Sequence, residues 1–217
     1  MKIIAINGSP RKQWNTATLL GKALEGAAAQ RAETEIVHLY DLTFKGCINC
    51  FACKTRGGKS YGTCAMNDDL APVLKKIANA DGLVIGSPIY FGSVTGETHS
   101  FLERLLFQYL TYTVPYGSIA PRHIATGFIY TMNVTEELSK TMGYENLFNS
   151  HARYLQMIFG QQSESLCAFD TCATDDYSKY VIESFDPVHK AQRRTEVLPQ
   201  ECQRAYELGA RLAGKEL

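Results

Sequence analysis

Four cysteines crowd one short stretch, CINCFACKTRGGKSYGTC over residues 47–64. Cys47, Cys50 and Cys53 stand at C-x2-C-x2-C, and Cys64 follows after ten intervening residues. Three thiols at steps of three are the usual way to wrap a cubane iron–sulfur cluster, whereas structural zinc prefers two separated pairs or mixed Cys/His sets. Reduced thiols that bind nothing are the third reading, and the residues alone leave all three open. Gly57, Gly58 and Gly62 can fold the loop back so that Cys64 rejoins the others.

Two other stretches can bind a ligand. NGSPRKQWNT (residues 7–16) offers Ser9, Asn15 and Thr16 as neutral donors, Arg11 as a cation, and the free N–H groups of a helix starting near Thr16 and running through Ala17. That set suits a phosphate dianion. It is not a dinucleotide fingerprint, which needs G-x-G-x-x-G where this loop has only Gly8. GGKS at 57–60 is not a P-loop either, because Cys53 stands where the first glycine belongs. SPIYFG (87–92) places Tyr90 and Phe91 before Gly92, flat surfaces beside a residue that permits close backbone approach.

These residues need a frame. Short β-branched or apolar runs (2–7, 34–40, 82–88, 123–131 and 165–170) alternate with helical patterns, one of them a long helical region from about Thr135 to Gly160. That alternation predicts an α/β fold with a parallel sheet covered on both faces. Ligands then bind outside the carboxyl ends of strands one and three, which is where both loops fall. The whole chain, 1–217, reads as a single domain. After Thr171 it turns polar and irregular before a last helix, so residues 171–217 read as an arm that closes the domain or reaches a neighbouring subunit. The aromatic stretch 109–118 reads as an interface.

Lys plus Arg and Asp plus Glu both number 22, which leaves no basic stripe for nucleic acid. The N-terminal run lacks a signal-peptide pattern and no stretch is long enough to span a membrane, so the expectation is a cytoplasmic protein with reduced cysteines.

Together, NGSPRKQWNT, GSPIYFG and the cysteine loop between them resemble the flavodoxin-like NAD(P)H-dependent FMN reductases, most closely the iron–sulfur flavoprotein branch, over roughly residues 1 to 135. The resemblance implies a flavodoxin-like doubly wound five-stranded parallel sheet, order 2-1-3-4-5, binding FMN. It assigns the FMN phosphate to Ser9, Arg11, Asn15, Thr16 and Ala17. Pro88, Ile89, Tyr90, Phe91 and Gly92 fall to the isoalloxazine, and Thr131 and Met132 to a third loop. Cys47, Cys50, Cys53 and Cys64 become ligands of a four-iron cluster, although the last gap in that branch is commonly shorter than here. Trp14 departs from the small or polar residue expected before Asn15, and reads as a flavin lid or a subunit contact.

The implied activity is that of an FMN-dependent oxidoreductase or electron-transfer flavoprotein. It would take electrons from NAD(P)H or a ferredoxin-like donor and pass them to small-molecule or protein redox partners, as a homodimer or homotetramer. A flavin or thiol redox sensor without steady turnover is the alternative. The flavin carries its own redox chemistry, so no catalytic residue is assigned.

Overall fold

A computed structural model describes residues 1–214. The elements run β1 (Lys2–Asn7), α1 (Asn15–Ala29), β2 (Glu33–His38), α2 (Leu70–Ala78), β3 (Gly82–Tyr90), β4 (Ser93–Val94) and α3 (Gly96–Phe107). Next come β5 (Leu110–Thr111), β6 (Gly117–Ser118), β7 (Ala125–Thr131), α4 (Glu136–Thr141), α5 (Tyr144–Phe159), β8 (Glu164–Ala168), α6 (Pro187–Glu196) and α7 (Leu198–Gly214).

The main sheet has the order β2-β1-β3-β7-β8. Every pairing along it is parallel, from Lys2↔Glu33 at one edge to Thr131↔Ala168 at the other. This is the expected flavodoxin-like arrangement, with β4 added as a two-residue hairpin partner on the end of β3. Alternation along the strands divides the core. Ile3, Ala5, Val84 and Ile129 face α1 and α7, while Ile4, Ile6, Ile85, Phe128 and Tyr130 face α2, α3 and α5. Strands buried on both faces must be apolar throughout, which is why they read as continuous runs rather than alternating ones.

Two expectations are corrected. The long helical region expected from about Thr135 to Gly160 is divided into two helices, because Gly143 takes φ +73° between α4 and α5. A left-handed residue cannot continue a right-handed helix, so the chain turns there. The segment after Thr171 is less irregular than expected, since it contains α6, and its last helix is a structural layer: α7 packs along α1. Gly26 and Gly209 permit this approach. A Cβ at Gly209 would lie 1.7 Å from the Ala23 carbonyl oxygen, and one at Gly26 would lie 1.9 Å from that of Tyr206.

On the opposite face, the Phe128 and Tyr130 rings stack at 4.2 Å, and His151 of α5 stacks on Phe128 at 5.2 Å. His151 Nδ1 is 3.0 Å from the Tyr130 hydroxyl. Burial, with a smaller push from His99, lowers the His151 pKa to about 4 from an ordinary 6.5. The unfolded chain therefore takes up a proton that the folded one refuses. The stability this contributes is complete above pH 6.5 and is lost as pH falls towards 4. We expect a loss on the order of 2 kcal/mol between pH 7 and pH 4.5. A His151→Phe variant should show a shallower acid slope in urea midpoints across that range, and an unchanged slope would remove His151 as the cause.

Candidate functional site

The phosphate loop leaves β1 at Asn7, a fully buried polar residue at the end of an apolar strand. Its Oδ1 accepts from Ser9 N at 3.1 Å and its Nδ2 lies 2.9 Å from His38 Nδ1, so one side chain shapes the turn and ties it to β2. Burial lowers the His38 pKa, consistent with a neutral ring in this contact. Helix α1 then starts at Asn15, one residue before the expected Thr16, with Trp14 in the capping position and no side chain capping it. The N–H groups of Asn15, Thr16 and Ala17 have no intrahelical acceptor, since Thr18 N is the first to bond back, to Trp14 O at 2.8 Å. An open helix terminus directly after a parallel strand fits a phosphate through its N–H groups and its dipole.

The side chains expected around that phosphate are largely engaged elsewhere. Ser9 Oγ accepts from Arg11 N at 3.2 Å, and Thr16 Oγ1 sits 2.8 Å from Thr131 Oγ1 in the buried interior. Asn15 Nδ2 donates to Cys172 O at 2.9 Å, and Arg11 Nη1 donates to Ala173 O at 2.6 Å. Trp14, expected as a flavin lid or a subunit contact, donates from Nε1 to Cys172 O at 3.0 Å. Two guanidiniums lie over its ring, Arg11 at 3.9 Å and Arg194 at 4.7 Å from the centroid. The arm therefore closes on its own chain's phosphate loop, and Arg194 brings a second cation there that sequence reasoning did not select.

The loop after β3 lies against this one. Gly8 N donates to Gly86 O at 2.8 Å, and Thr95 Oγ1 donates to Gly8 O at 2.7 Å while capping α3. Tyr90 and Ser93 pair across the β3–β4 hairpin, which leaves Phe91 (φ +50°) and Gly92 (φ +78°) as its two-residue turn. A left-handed conformation is uncommon for a bulky aromatic, and Phe91 is also fully exposed, so the backbone holds an apolar ring out at the carboxyl edge of the sheet. Pro88 and Ile89 are half-buried beneath it. Tyr40, also unselected by sequence, lies near Tyr90, Thr95 and Glu97. Burial and a hydrogen bond to Glu97 raise its pKa to about 12.

The third loop presents less. Thr131 and Met132 are buried, and both Met132 backbone groups are used: its N–H donates to Ala168 O at 3.0 Å and its carbonyl accepts from Thr171 N at 2.9 Å. The loop is held from below by Lys190 of α6, whose buried ammonium pairs with Asp170 and donates to Asn133 Oδ1 at 2.6 Å.

The cysteine loop lies along α3 at the other end of that helix. Cys47, Cys50, Cys53 and Cys64 line one pocket together with Phe51, Arg104, Phe107 and Gln108. Their exposures differ: Cys50 is exposed, Cys47 and Cys64 are half-buried, and Cys53 is buried. Burial raises the Cys53 pKa, partly offset by Lys54. Among the described residues, no three His, Cys, Asp or Glu side chains are drawn together tightly enough to hold a metal ion as they stand.

The chemistry of the pocket nonetheless fits an anionic, thiolate-held group. Arg104 is 1% exposed; its Nη1 donates to Asp68 Oδ2 at 2.5 Å and to Lys45 O at 3.2 Å. Burial pushes the Asp68 carboxyl up, but the Arg104 contact outweighs it and holds the group below the usual range. Arg104 Nε and Nη2 and Gln108 Nε2 are buried with no hydrogen-bond acceptor, and Gln108 Oε1 accepts from Cys64 N at 3.0 Å. The Cys64 thiol is close enough to act on the guanidinium as a hydrogen-bonding as well as a charge partner. Three unmet donors in one small pocket are costly unless something negative receives them. The sequence signal was available: Arg104 and Gln108 fall on the same helix face as Phe101 and Leu105, a charged and a polar residue within an apolar stripe.

Beside this pocket, an apolar cleft of about 470 Å3 opens between α3 and α5, lined by Cys47, Leu102, Leu106, Phe107 and Met157 among others. The stretch 109–118 forms the β5–β6 hairpin, whose Tyr112, Val114 and Tyr116 are exposed. Among the described residues, no helix is long and apolar enough to cross a membrane.

The comparisons with known proteins agree with this geometry. An iron–sulfur flavoprotein of Methanocaldococcus jannaschii is 40% identical over 104 residues, which is 48% of this chain and 51% of that protein. One from Archaeoglobus fulgidus is 43% identical over 104 residues, 48% of each chain. The chain thus matches about half the length of these curated relatives. Among solved structures, the NAD(P)H:quinone oxidoreductase from Methanothermobacter marburgensis superposes with a TM-score of 0.66 at 14% identity, covering 98% of both chains. An FMN-dependent NADH-azoreductase from Bacillus anthracis, solved with FMN, gives 0.65 at 15% identity, covering 99% of this chain and 100% of that one. Those two likenesses are of fold. The sequence model of the NADPH-dependent FMN reductase family matches residues 1–123, and the chain belongs to that family.

Proposed function

We propose that this chain binds FMN between the β1 and β3 loops and a four-iron cluster in the loop Cys47–Cys64, and that it works as an FMN-dependent oxidoreductase or electron-transfer flavoprotein. The observation that carries the reading is the uncapped start of α1 lying beside the left-handed Phe91–Gly92 turn, with both loops tied through Gly8. The N–H groups of Asn15, Thr16 and Ala17 would receive the phosphate, and Arg11 and Arg194 would add positive charge beside it. Tyr90, Phe91 and Gly92 would border the flavin ring. Bound FMN supplies electron-pair and single-electron chemistry, and a cluster supplies single electrons.

The cysteine pocket lies near Arg104, eight residues into α3 from Gly96, roughly 12 Å along the helix from the flavin loops. Its four thiols, its unmet donors and the names of the curated relatives together support the cluster. NAD(P)H or a ferredoxin-like protein would supply the electrons, and a small molecule or a protein would receive them. The assembly would be a homodimer or homotetramer.

The test is an absorption spectrum of protein purified without oxygen, with FMN, iron and zinc quantified on the same sample. The expected result is about one FMN with about four irons per chain and a broad shoulder beneath the flavin bands. Flavin with no iron would remove the cluster and leave the FMN reading, whereas colourless protein containing zinc would remove both.

A further inference from the structure

We propose that Arg104 and Gln108 are positioning residues for the cluster: their unmet N–H groups donate to the sulfur atoms it would place in the pocket, and so set its reduction potential. This rests on the cluster reading above. Arg104 and Gln108 are 1% and 2% exposed, so water does not reach them freely, and each lines the pocket that the four cysteines line. Their partnered atoms explain how they are held. Arg104 Nη1 is fixed by Asp68 and the Lys45 carbonyl, and Gln108 Oε1 by the Cys64 backbone. The atoms left over, Arg104 Nε and Nη2 and Gln108 Nε2, meet no acceptor in good hydrogen-bond geometry, and the one thiol acting on the guanidinium is that of Cys64, a proposed cluster ligand.

Such donors cost stability when nothing receives them and become favourable beside a dianionic, thiolate-ligated group. Arg104 and Gln108 sit four residues apart and so on one helix face, which aims both at the same side of the loop. Asp68 holds the guanidinium from the other side and sets its orientation, as outer partners do at metal sites.

Reduction adds one electron to a group that is already negative. A cation and N–H donors at the sulfur atoms stabilise the reduced form more than the oxidised one, so they raise the potential. Removing them lowers it.

The experiment is a dithionite titration of the anaerobic protein, followed by optical and electron paramagnetic resonance spectra, with iron measured on every sample. Arg104→Met should keep iron and make reduction at least tenfold less favourable, a fall of about 59 mV for a one-electron couple. Arg104→Lys keeps the charge and should fall between Arg104→Met and wild type. Gln108→Met, which leaves the Arg104–Asp68 pair intact, should lower the potential by a smaller amount. A merely structural role would change folding or iron content without moving the potential of the variants that keep iron. Wild-type potential in both Arg104→Met and Gln108→Met at full iron content overturns the proposal and leaves the cluster reading standing. If Arg104→Met does not hold iron, Gln108→Met decides alone by the same criterion. Wild-type protein that takes up no iron overturns the cluster reading and this inference together, and iron content distinguishes that case.

Discussion

Replacing Cys50 and Cys53 together by alanine should remove at least nine-tenths of the iron while leaving the FMN content near that of wild type. Cys53 is the buried member of the set and Cys50 the exposed one, so the pair takes away ligands from both the floor and the rim of the pocket. A cubane held by four thiolates does not survive the loss of two of them. FMN should stay because the residues proposed to hold it lie on the β1 and β3 loops, which are tied to each other through Gly8 rather than through the cysteine loop. Cys202→Ser, on α7 and absent from the pocket, is the control and should keep both groups. Full iron in the double variant would show that other residues hold it.

Gly209→Val should cost about 4 kcal/mol or more, a large fraction of the 5–15 kcal/mol that holds a typical domain together. The reason is the 1.7 Å overlap between a Cβ at Gly209 and the Ala23 carbonyl oxygen, since backbone atoms cannot move aside as the end of a flexible side chain can. The helices would separate, and Leu208 and Leu212 would lose their packing against the sheet. Gly21→Ala on α1 provides the contrast. A Cβ there meets nothing within 4 Å, so the change should be neutral or stabilise by up to about 1 kcal/mol through helix propensity. Urea midpoints of the two variants test this, and a Gly209→Val midpoint equal to wild type would show that α7 does not need that approach. Because α7 leads back through α6 to the segment that bonds Arg11, Trp14 and Asn15, the same variant should also loosen the phosphate loop.

The layers of the fold were legible from local pattern. Buried parallel strands must be apolar along their whole length, so β1, β3 and β7 announced themselves, and their alternation with helices pointed to a parallel sheet covered on both faces, while the strand order came from the family resemblance. The break at Gly143 did not stand out because a lone glycine is tolerated inside a helical pattern, and only the structure shows that this one takes a positive φ. The layer formed by α7 was missed for a related reason. The sequence shows an amphipathic helix, but its partner is more than 170 residues away and the contact is made by glycines, which carry no hydrophobic signal.

The site divides in the same way. By itself, the sequence determined the chemical inventory: a polar, cationic loop after β1 of a kind suited to a phosphate, an aromatic-glycine turn after β3 and four thiols between them, because each is a local pattern whose spacing has a physical meaning. Only the tertiary structure decided which groups are free to act. It committed the Asn15 and Arg11 side chains to the arm, left the N–H groups at the start of α1 open, and brought Arg104 and Gln108 to the cysteine pocket with donors unmet. Burial and hydrogen-bond satisfaction depend on segments distant in the chain, so neighbouring letters could mark Arg104 and Gln108 as unusual in an apolar stripe but not say which of their donors stay unmet.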